Sequence, residues 1–272
     1  MHVGATLRLL RVDAGLSLRD LAKRIGVSSA YLSRVEHGLD AVPTPARISA
    51  IARELDIPPT LLMDVAHQVS PLMANYLEQE PGAGPLFLEI ARRKLTGPQL
   101  ARLRQLLDAE FPSRDALREE PPLTLAPLLT PERLVLQLSC SRLEDALDVA
   151  AGRLASAVPG TGAAALATHL LRREEQVSSA VGNGVAVPRA SLADGPTVAA
   201  LVTLARPLRA ETPDEQPLRL VVVLLSREGG RIARLQLTHV ARLASLGLAD
   251  RLAEVQHPHE VLQRLQAMEH LS

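Results

Sequence analysis

Between residues 1 and 66 the apolar positions recur at helical spacing, in runs short enough to be punctuated by single glycines and prolines. Leu7, Leu10 and Ala14 predict a first helix closed by Gly15. Ser17 predicts an N-cap with Asp20 as its capping-box acid, and Leu18, Leu21, Ala22 and Ile25 share the inner face of a second helix. Gly26 supplies a left-handed turn and Val27 plugs it; Ser28 then caps a third helix with Leu32 and Val35 inward and Gly38 at its end. A small residue, a glycine turn and two apolar anchors let two helices cross tightly, as a helix-turn-helix requires. Residues 46–55 predict a fourth helix with Ile48, Ile51, Ala52 and Leu55 inward. Pro58 and Pro59 break the chain, and Thr60 is expected to cap a last short helix carrying Leu61 and Leu62.

Residues 67–122 read as a helical connector. Helices over 71–80 and 86–93 flank a break at Pro81-Gly-Ala-Gly-Pro85, and Thr96 caps a further helix bearing the stripe Leu100, Leu103, Leu106, Leu107 and Phe111. Such a stripe either packs on its own domain or joins two copies of the chain. The charged, proline-punctuated run from Pro112 to Pro122 reads as a linker. Residues 123–272 alternate in character. Leu134–Leu138 is strand-like, and Ser141-Arg-Leu-Glu144 reads as a capping box before a helix with Leu143, Leu147, Ala150 and Leu154 inward. Residues 163–175 make a second helix. Val198–Leu204 and Leu218–Leu225 are nearly continuous in Val, Leu and Ala, as strands buried on both faces are. Helices over 232–246 and 258–268 follow. The expected fold class is multidomain: an all-α helix-turn-helix domain, a helical connector, and a C-terminal α/β domain with a mixed sheet and flanking helices.

Composition narrows the picture. Hydrophobic residues make up 47% and aromatics 1%, so the cores must be built from Leu, Val and Ala. The net charge of +0 leaves no global field to draw the chain to nucleic acid, and any such contact must come from a local patch. A lone Cys140 excludes an intramolecular disulfide framework and fits a reducing cytoplasm; its expected role is that of a small buried apolar residue. The N-terminus has no apolar signal core, and the run Leu220–Leu225 is far too short to span a bilayer. The expectation is a cytoplasmic protein without a membrane partner.

The first segment, Arg11 and Glu36 included, resembles the XRE, or lambda-repressor-like, family of DNA-binding domains. The resemblance implies an ion pair between Arg11 and Glu36 that pins the first helix against the end of the third. It implies a recognition helix over residues 28–37 that enters the major groove of double-stranded DNA with Ser29, Ala30, Ser33 and Arg34 outward. Arg34 suits guanine O6 and N7, and Ala30 suits a thymine methyl. Ser28 and the free amides at the helix start suit a phosphate, with Arg19, Lys23 and Arg47 as backbone anchors. One departure is Leu18, where the family often has a glutamine touching DNA. Repressor-like domains read two half-sites, so the resemblance implies a homodimer.

The last segment resembles the IIA domain of the bacterial phosphotransferase system, of the nitrogen-regulatory and fructose type. The resemblance rests on LLTPERLVLQL from Leu128, GNGVAVPR from Gly182, and the hydrophobic strand Leu218–Leu225 before a helix. It implies that the residue after Pro188 is the histidine that accepts a phosphoryl group; here that residue is Arg189. A guanidinium stays protonated and offers no lone pair for attack. A second family histidine is expected near Ala233 or Arg234 and is also missing. A loop with Gly182, Gly184 and Arg189 is instead a candidate anion site, although the sequence shows no second anion-binding group beside it.

Other chemistry is weakly signalled. His257 and His259 lack the third ligand of a metal site, so no metal is expected. His239 reads as a partly buried structural histidine. His169 lies a full helix end before the glycine loop and is not placed to replace Arg189. Glu174 and Glu175 point to different faces and make no acid/base pair. Gly182-Asn-Gly184 lacks the third glycine and the downstream acid of a dinucleotide site, and no cofactor is expected. The reading is a non-enzymatic, DNA-binding transcriptional regulator whose degenerate IIA-like domain dimerises, docks a phosphotransferase-system protein or senses a small anionic effector. The alternatives are a phosphorelay protein using another histidine, and a protein-interaction scaffold.

Overall fold

The computed structural model describes residues 3–67, 71–111, 124–158, 160–192, 195–227 and 230–270. The N-terminal unit is five helices: α1 (Val3–Asp13), α2 (Leu18–Arg24), α3 (Ser29–Glu36), α4 (Pro45–Glu54) and α5 (Pro59–Val65). Ser17 and Asp20 form the expected capping box, and Ser28 caps α3 through the amide of Tyr31 at 3.1 Å. Gly15, Gly26 and Gly38 all adopt positive φ, so each turn uses the freedom that glycine alone supplies without strain. The start of α5 differs from expectation. Pro58 is its N-cap and Pro59 its first residue, with no side-chain cap from Thr60, because proline's fixed φ and missing donor suit that first position.

The connector is α6 (Pro71–Gln79), α7 (Ala83–Arg93) and α8 (Gly97–Glu110). α7 begins three residues earlier than expected, since Gly84 and Pro85 fit within its first turn rather than breaking it. Gln99 reaches back to the Thr96 amide at 2.8 Å and closes the start of α8. Leu106, Leu107 and Phe111 are 55%, 50% and 75% exposed, so among the described residues of one copy this end of the stripe is left uncovered. The expected linker from Pro112 lies outside the described residues.

The C-terminal unit runs β1 (Leu134–Leu138), α9 (Leu143–Leu154), α10 (Ala163–Gln176), β2 (Ala180–Gly182), β3 (Val185–Ala186), β4 (Arg189–Leu192), β5 (Val198–Leu208), β6 (Leu218–Arg227), α11 (Arg231–Ser245), α12 (Leu248–Leu252) and α13 (Pro258–His270). The mixed sheet has the order β1-β5-β6-β3-β2, with β4 also paired to β6. Asp145, not Glu144, closes the start of α9: its carboxylate accepts from the Arg142 amide at 3.1 Å. The cap falls one residue late because Arg142 is the extended residue before the helix. Cys140 is half-buried rather than buried, and that burial raises its thiol pKa.

The near-continuous apolar runs are explained by the two faces of the sheet. Leu220, Val222 and Leu224 of β6 join one core, and Val221, Val223 and Leu225 join the other, which α9 and α10 cover. The first core is continuous with the helix-turn-helix unit: Leu7, Leu10, Leu55 and Leu62 belong to the same cluster as Leu235 and Val240 of α11. The two units are therefore docked through α1 and α5 on α11. His239 is fully buried rather than partly so, with Nε2 2.9 Å from Glu269, whose carboxylate also receives the Leu125 and Ala126 amides.

Candidate nucleic-acid interface and interdomain arginine cavity

The sequence-assigned contact residues all lie at the surface of the helix-turn-helix unit. Arg19, Lys23, Ser28, Ala30, Arg34 and Arg47 are exposed, and Ser29 and Ser33 half-exposed. Arg34 is not loose: its Nη2 and Nε donate to Asp40 Oδ1 at 2.6 and 2.9 Å, which raises its pKa. Arg47 lies over the Tyr31 ring at 4.9 Å, a cation–π contact that ties it to α3. In the cap of α3 the Ser28 Oγ accepts from the Tyr31 amide, so its O–H remains a donor for a phosphate beside the backbone amides at this end. Leu18 packs against the core, so the departure at that position serves packing.

Behind this face, Arg11 binds Glu36 with two parallel bonds, Nε to Oε1 at 2.6 Å and Nη2 to Oε2 at 2.8 Å, and reaches the Leu16 carbonyl at 2.8 Å. Their side chains are 11% and 1% exposed. The hydrogen bonds to Glu36 hold the Arg11 pKa above its ordinary value. Gly4 lets α1 approach α3: a Cβ there would lie 2.1 Å from the Val35 carbonyl oxygen. Gly4 carries no such mark in the sequence, because a glycine inside a helix pattern does not announce which neighbour it admits.

The second site lies between the units. Arg189 at the start of β4 is buried, and its Nε donates to Asp13 at the end of α1 at 2.5 Å. Its Nη2 donates to the Leu9 carbonyl at 3.1 Å. The other Asp13 oxygen accepts from Arg173 of α10. Arg234 of α11 donates to the Leu55 carbonyl at 2.8 Å and lines the same cavity. That cavity, of about 210 Å³, therefore holds the second and third anion-binding groups that the sequence did not show beside Arg189. Long-range folding brings them there from three elements. Glu174 sits close by; burial raises its pKa, while the Ser179 amide, donating at 2.9 Å, and Arg189 lower it.

Gly182 and Gly184 are placed elsewhere. They shape the β2–β3 hairpin, where Asn183 and Gly184 both have positive φ, and Gly184 accepts from the Arg219 and Leu220 amides at 2.8 and 3.1 Å. Val185 pairs with Leu220 and Arg189 with Leu224, which separates hairpin and arginine by roughly 13 Å along β6. His169 is nearer than expected: it is exposed on α10 and lines a groove with Arg172, Arg173 and Arg189. Among the described residues, no group of three His, Cys, Asp or Glu side chains is placed to hold a metal, and no helix is long and apolar enough to cross a membrane.

Residues 127–268 match the model of the phosphoenolpyruvate-dependent sugar phosphotransferase system EIIA 2 family. The chain belongs to the EIIA 2 family. Residues 2–64 match a helix-turn-helix domain model, so the EIIA 2 domain is here fused to a helix-turn-helix. The chain is 35% identical over 118 residues to a nitrogen regulatory protein of Bradyrhizobium diazoefficiens, covering 43% of this chain and 76% of that protein. It is 46% identical over 55 residues to the HTH-type transcriptional repressor RghR of Bacillus subtilis, covering 20% of this chain and only 41% of that protein. The nitrogen regulatory protein IIA-Ntr from Neisseria meningitidis superposes with a TM-score of 0.46 at 23% identity, over 52% of this chain and 97% of that one.

Proposed function

We propose that the chain is a sequence-specific DNA-binding transcriptional regulator whose EIIA 2 domain acts as an effector and oligomerisation domain rather than as a phosphoryl carrier. The observation that carries this reading is the orientation of the helix-turn-helix. Its docking on the EIIA 2 domain runs through α1 and α5, while Arg19, Lys23, Ala30, Arg34 and Arg47 stay exposed to solvent. Exposed cations on three neighbouring helices, Arg19 and Lys23 on α2, Arg34 on α3 and Arg47 on α4, make on a protein of net charge +0 the local patch that DNA binding needs. In this reading Arg34 exchanges Asp40 for a guanine edge, Ala30 meets a thymine methyl, and the α3 amides with Arg19, Lys23 and Arg47 hold phosphates. The name of the RghR relative, a transcriptional repressor, supports the assignment.

Residue 189 stands, in this reading, where the family's phosphoryl-accepting histidine stands. A buried arginine bound to Asp13 has no lone pair to offer, so phosphoryl transfer does not occur there. The exposed Leu106, Leu107 and Phe111 of α8 would be covered by a second copy, which gives the two-fold symmetry of paired half-sites. Such a regulator works in the cytoplasm. The test is selected-library DNA binding by the wild type beside Arg34→Ala. A discrete two-fold motif whose affinity drops roughly ten- to hundredfold in the variant supports the reading. No enrichment at low salt would leave an interaction scaffold in its place.

A second reading is favoured by one observation, the exposed His169 in a groove with Arg172, Arg173 and Arg189. There a donor phosphohistidine would break its P–N bond as a new one forms to His169, with the arginines neutralising the transferred group. Incubation with phosphorylated histidine phosphocarrier, followed by a search for acid-labile phosphate on wild type and His169→Ala, decides it.

A further inference from the structure

Two residues that line the cavity between the units each carry a buried polar atom that the fold leaves unanswered. Arg189 Nη1 is a buried donor and Gln236 Oε1 a buried acceptor, and neither has a hydrogen-bond partner among the described residues. Both residues line the cavity, with Arg173, Arg234 and Ser226 beside them. Side-chain exposure is 8% for Arg189 and 12% for Arg234, so these charges are held away from water. The one carboxylate facing them from α1 is Asp13, already divided between Arg173 and Arg189. From α10, Glu174 is bound to the Ser179 amide instead. A buried guanidinium N–H and a buried amide oxygen left without partners mark a place where a ligand supplies them.

We infer that this cavity is an effector site for a small oxyanion that also carries a hydrogen-bond donor, and that Asp13 is its built-in competitor. The oxyanion head takes Arg189 and Arg173 from Asp13, and an O–H or N–H of the same molecule donates to Gln236 Oε1. At about 210 Å³ the cavity falls below the ~300–1,000 Å³ of sites for drug-sized ligands, which restricts the occupant to a compact acid. The same exchange releases the end of α1 from the EIIA 2 domain. α1 also carries Arg11, whose hold on Glu36 fixes the end of α3. Occupancy therefore shifts the docking of the helix-turn-helix, a differential interaction of the kind that regulation requires. The regulatory consequence rests on the DNA-binding reading above; the ligand site does not.

The experiment is isothermal titration of the full chain, without DNA, with inorganic phosphate, succinate and malate. Saturable binding in the wild type, tightened about tenfold or more in Asp13→Asn because the internal competitor is removed, supports the site. Phosphate as the bound probe assigns a phosphoryl head and malate a carboxylate head. Malate bound in preference to succinate, with the preference lost in Gln236→Leu, assigns the donor. Arg189→Met should abolish binding, and a thermal melt shows whether that variant folds; if it does not, the Gln236→Leu arm stands alone. Absence of saturable binding of all three probes to folded wild type and Asp13→Asn overturns the proposal, as does undiminished binding by folded Arg189→Met. A second arm measures DNA retention of Asp13→Asn, so failure of the DNA reading is seen separately from failure of the site.

Discussion

Arg34 and Arg189 each pair with an aspartate, and the two pairs behave as opposites. Arg34 and Asp40 meet at 2.6 Å on the surface of the helix-turn-helix, with 62% and 23% of their side chains exposed. Arg189 and Asp13 meet at 2.5 Å between the two units, 8% and 10% exposed. Water screens the first pair and competes for both members, so Arg34 leaves Asp40 at little cost and is free to bind something larger. The second pair has already lost its hydration. Separating it strands a charge in a low dielectric unless another anion arrives at the same time. An exposed pair suits a surface that must engage and release a polyanion; a buried pair suits a contact that holds until a matched ligand replaces it.

The largest effect is expected from Asp13→Leu, which strands Arg189 and Arg173. It should lower stability by about 3–5 kcal/mol in denaturant unfolding, whereas Asp40→Leu should leave the midpoint within error. Equal losses from the two would break the contrast. Gly4→Ala comes next. Its Cβ would overlap the Val35 carbonyl and push α1 off α3, at a cost of about 1–3 kcal/mol. Because α1 carries Asp13 at its other end, the same variant should also weaken the hold on Arg189, seen as faster amide exchange along β4.

Asp40→Asn probes the exposed pair alone. Freed from its carboxylate, Arg34 should retain DNA severalfold more strongly at low salt, with no change in melting temperature. A fall in DNA retention would mean that Asp40 positions Arg34 rather than shielding it. The smallest effect is expected at Glu174. Burial raises its pKa, so the native chain binds this proton more tightly than the unfolded chain. Its stabilising contribution is present below the unfolded carboxylate pKa of about 4.3 and is lost as pH rises through the higher folded value. Glu174→Gln keeps an acceptor for the Ser179 amide and should raise the melting temperature slightly at alkaline pH and not at pH below about 4.

Much of the molecule is written in short-range pattern. The capping box Ser17–Asp20, the glycine turns at 15, 26 and 38, and the buried runs of β5 and β6 depend on residues a few positions apart, and each formed as its local chemistry requires. The pair Arg11–Glu36 was expected through family resemblance and is present. The four short elements β2, β3, β4 and α12 were missed, since two to five residues are too few to display a period. The cap of α9 falls one residue later than the pattern suggests, because Arg142 rather than Ser141 is the extended residue before the helix.

The arginine cavity is different in kind. The resemblance to the IIA family singles out Arg189, by its place after Pro188, and groups it with glycines that the fold uses for a hairpin. Asp13, Arg173, Arg234 and Gln236 carry no local signal, because a charged residue at a helix end or on a polar face reads as solvated wherever it occurs. Only docking α1 and α11 on the sheet removes the water that would otherwise satisfy them. Short-range pattern thus determined the longer elements and the helix-turn-helix they build. The tertiary structure alone decided which charges lost their solvent and had to find one another, since desolvation belongs to the packed whole and to no segment of it.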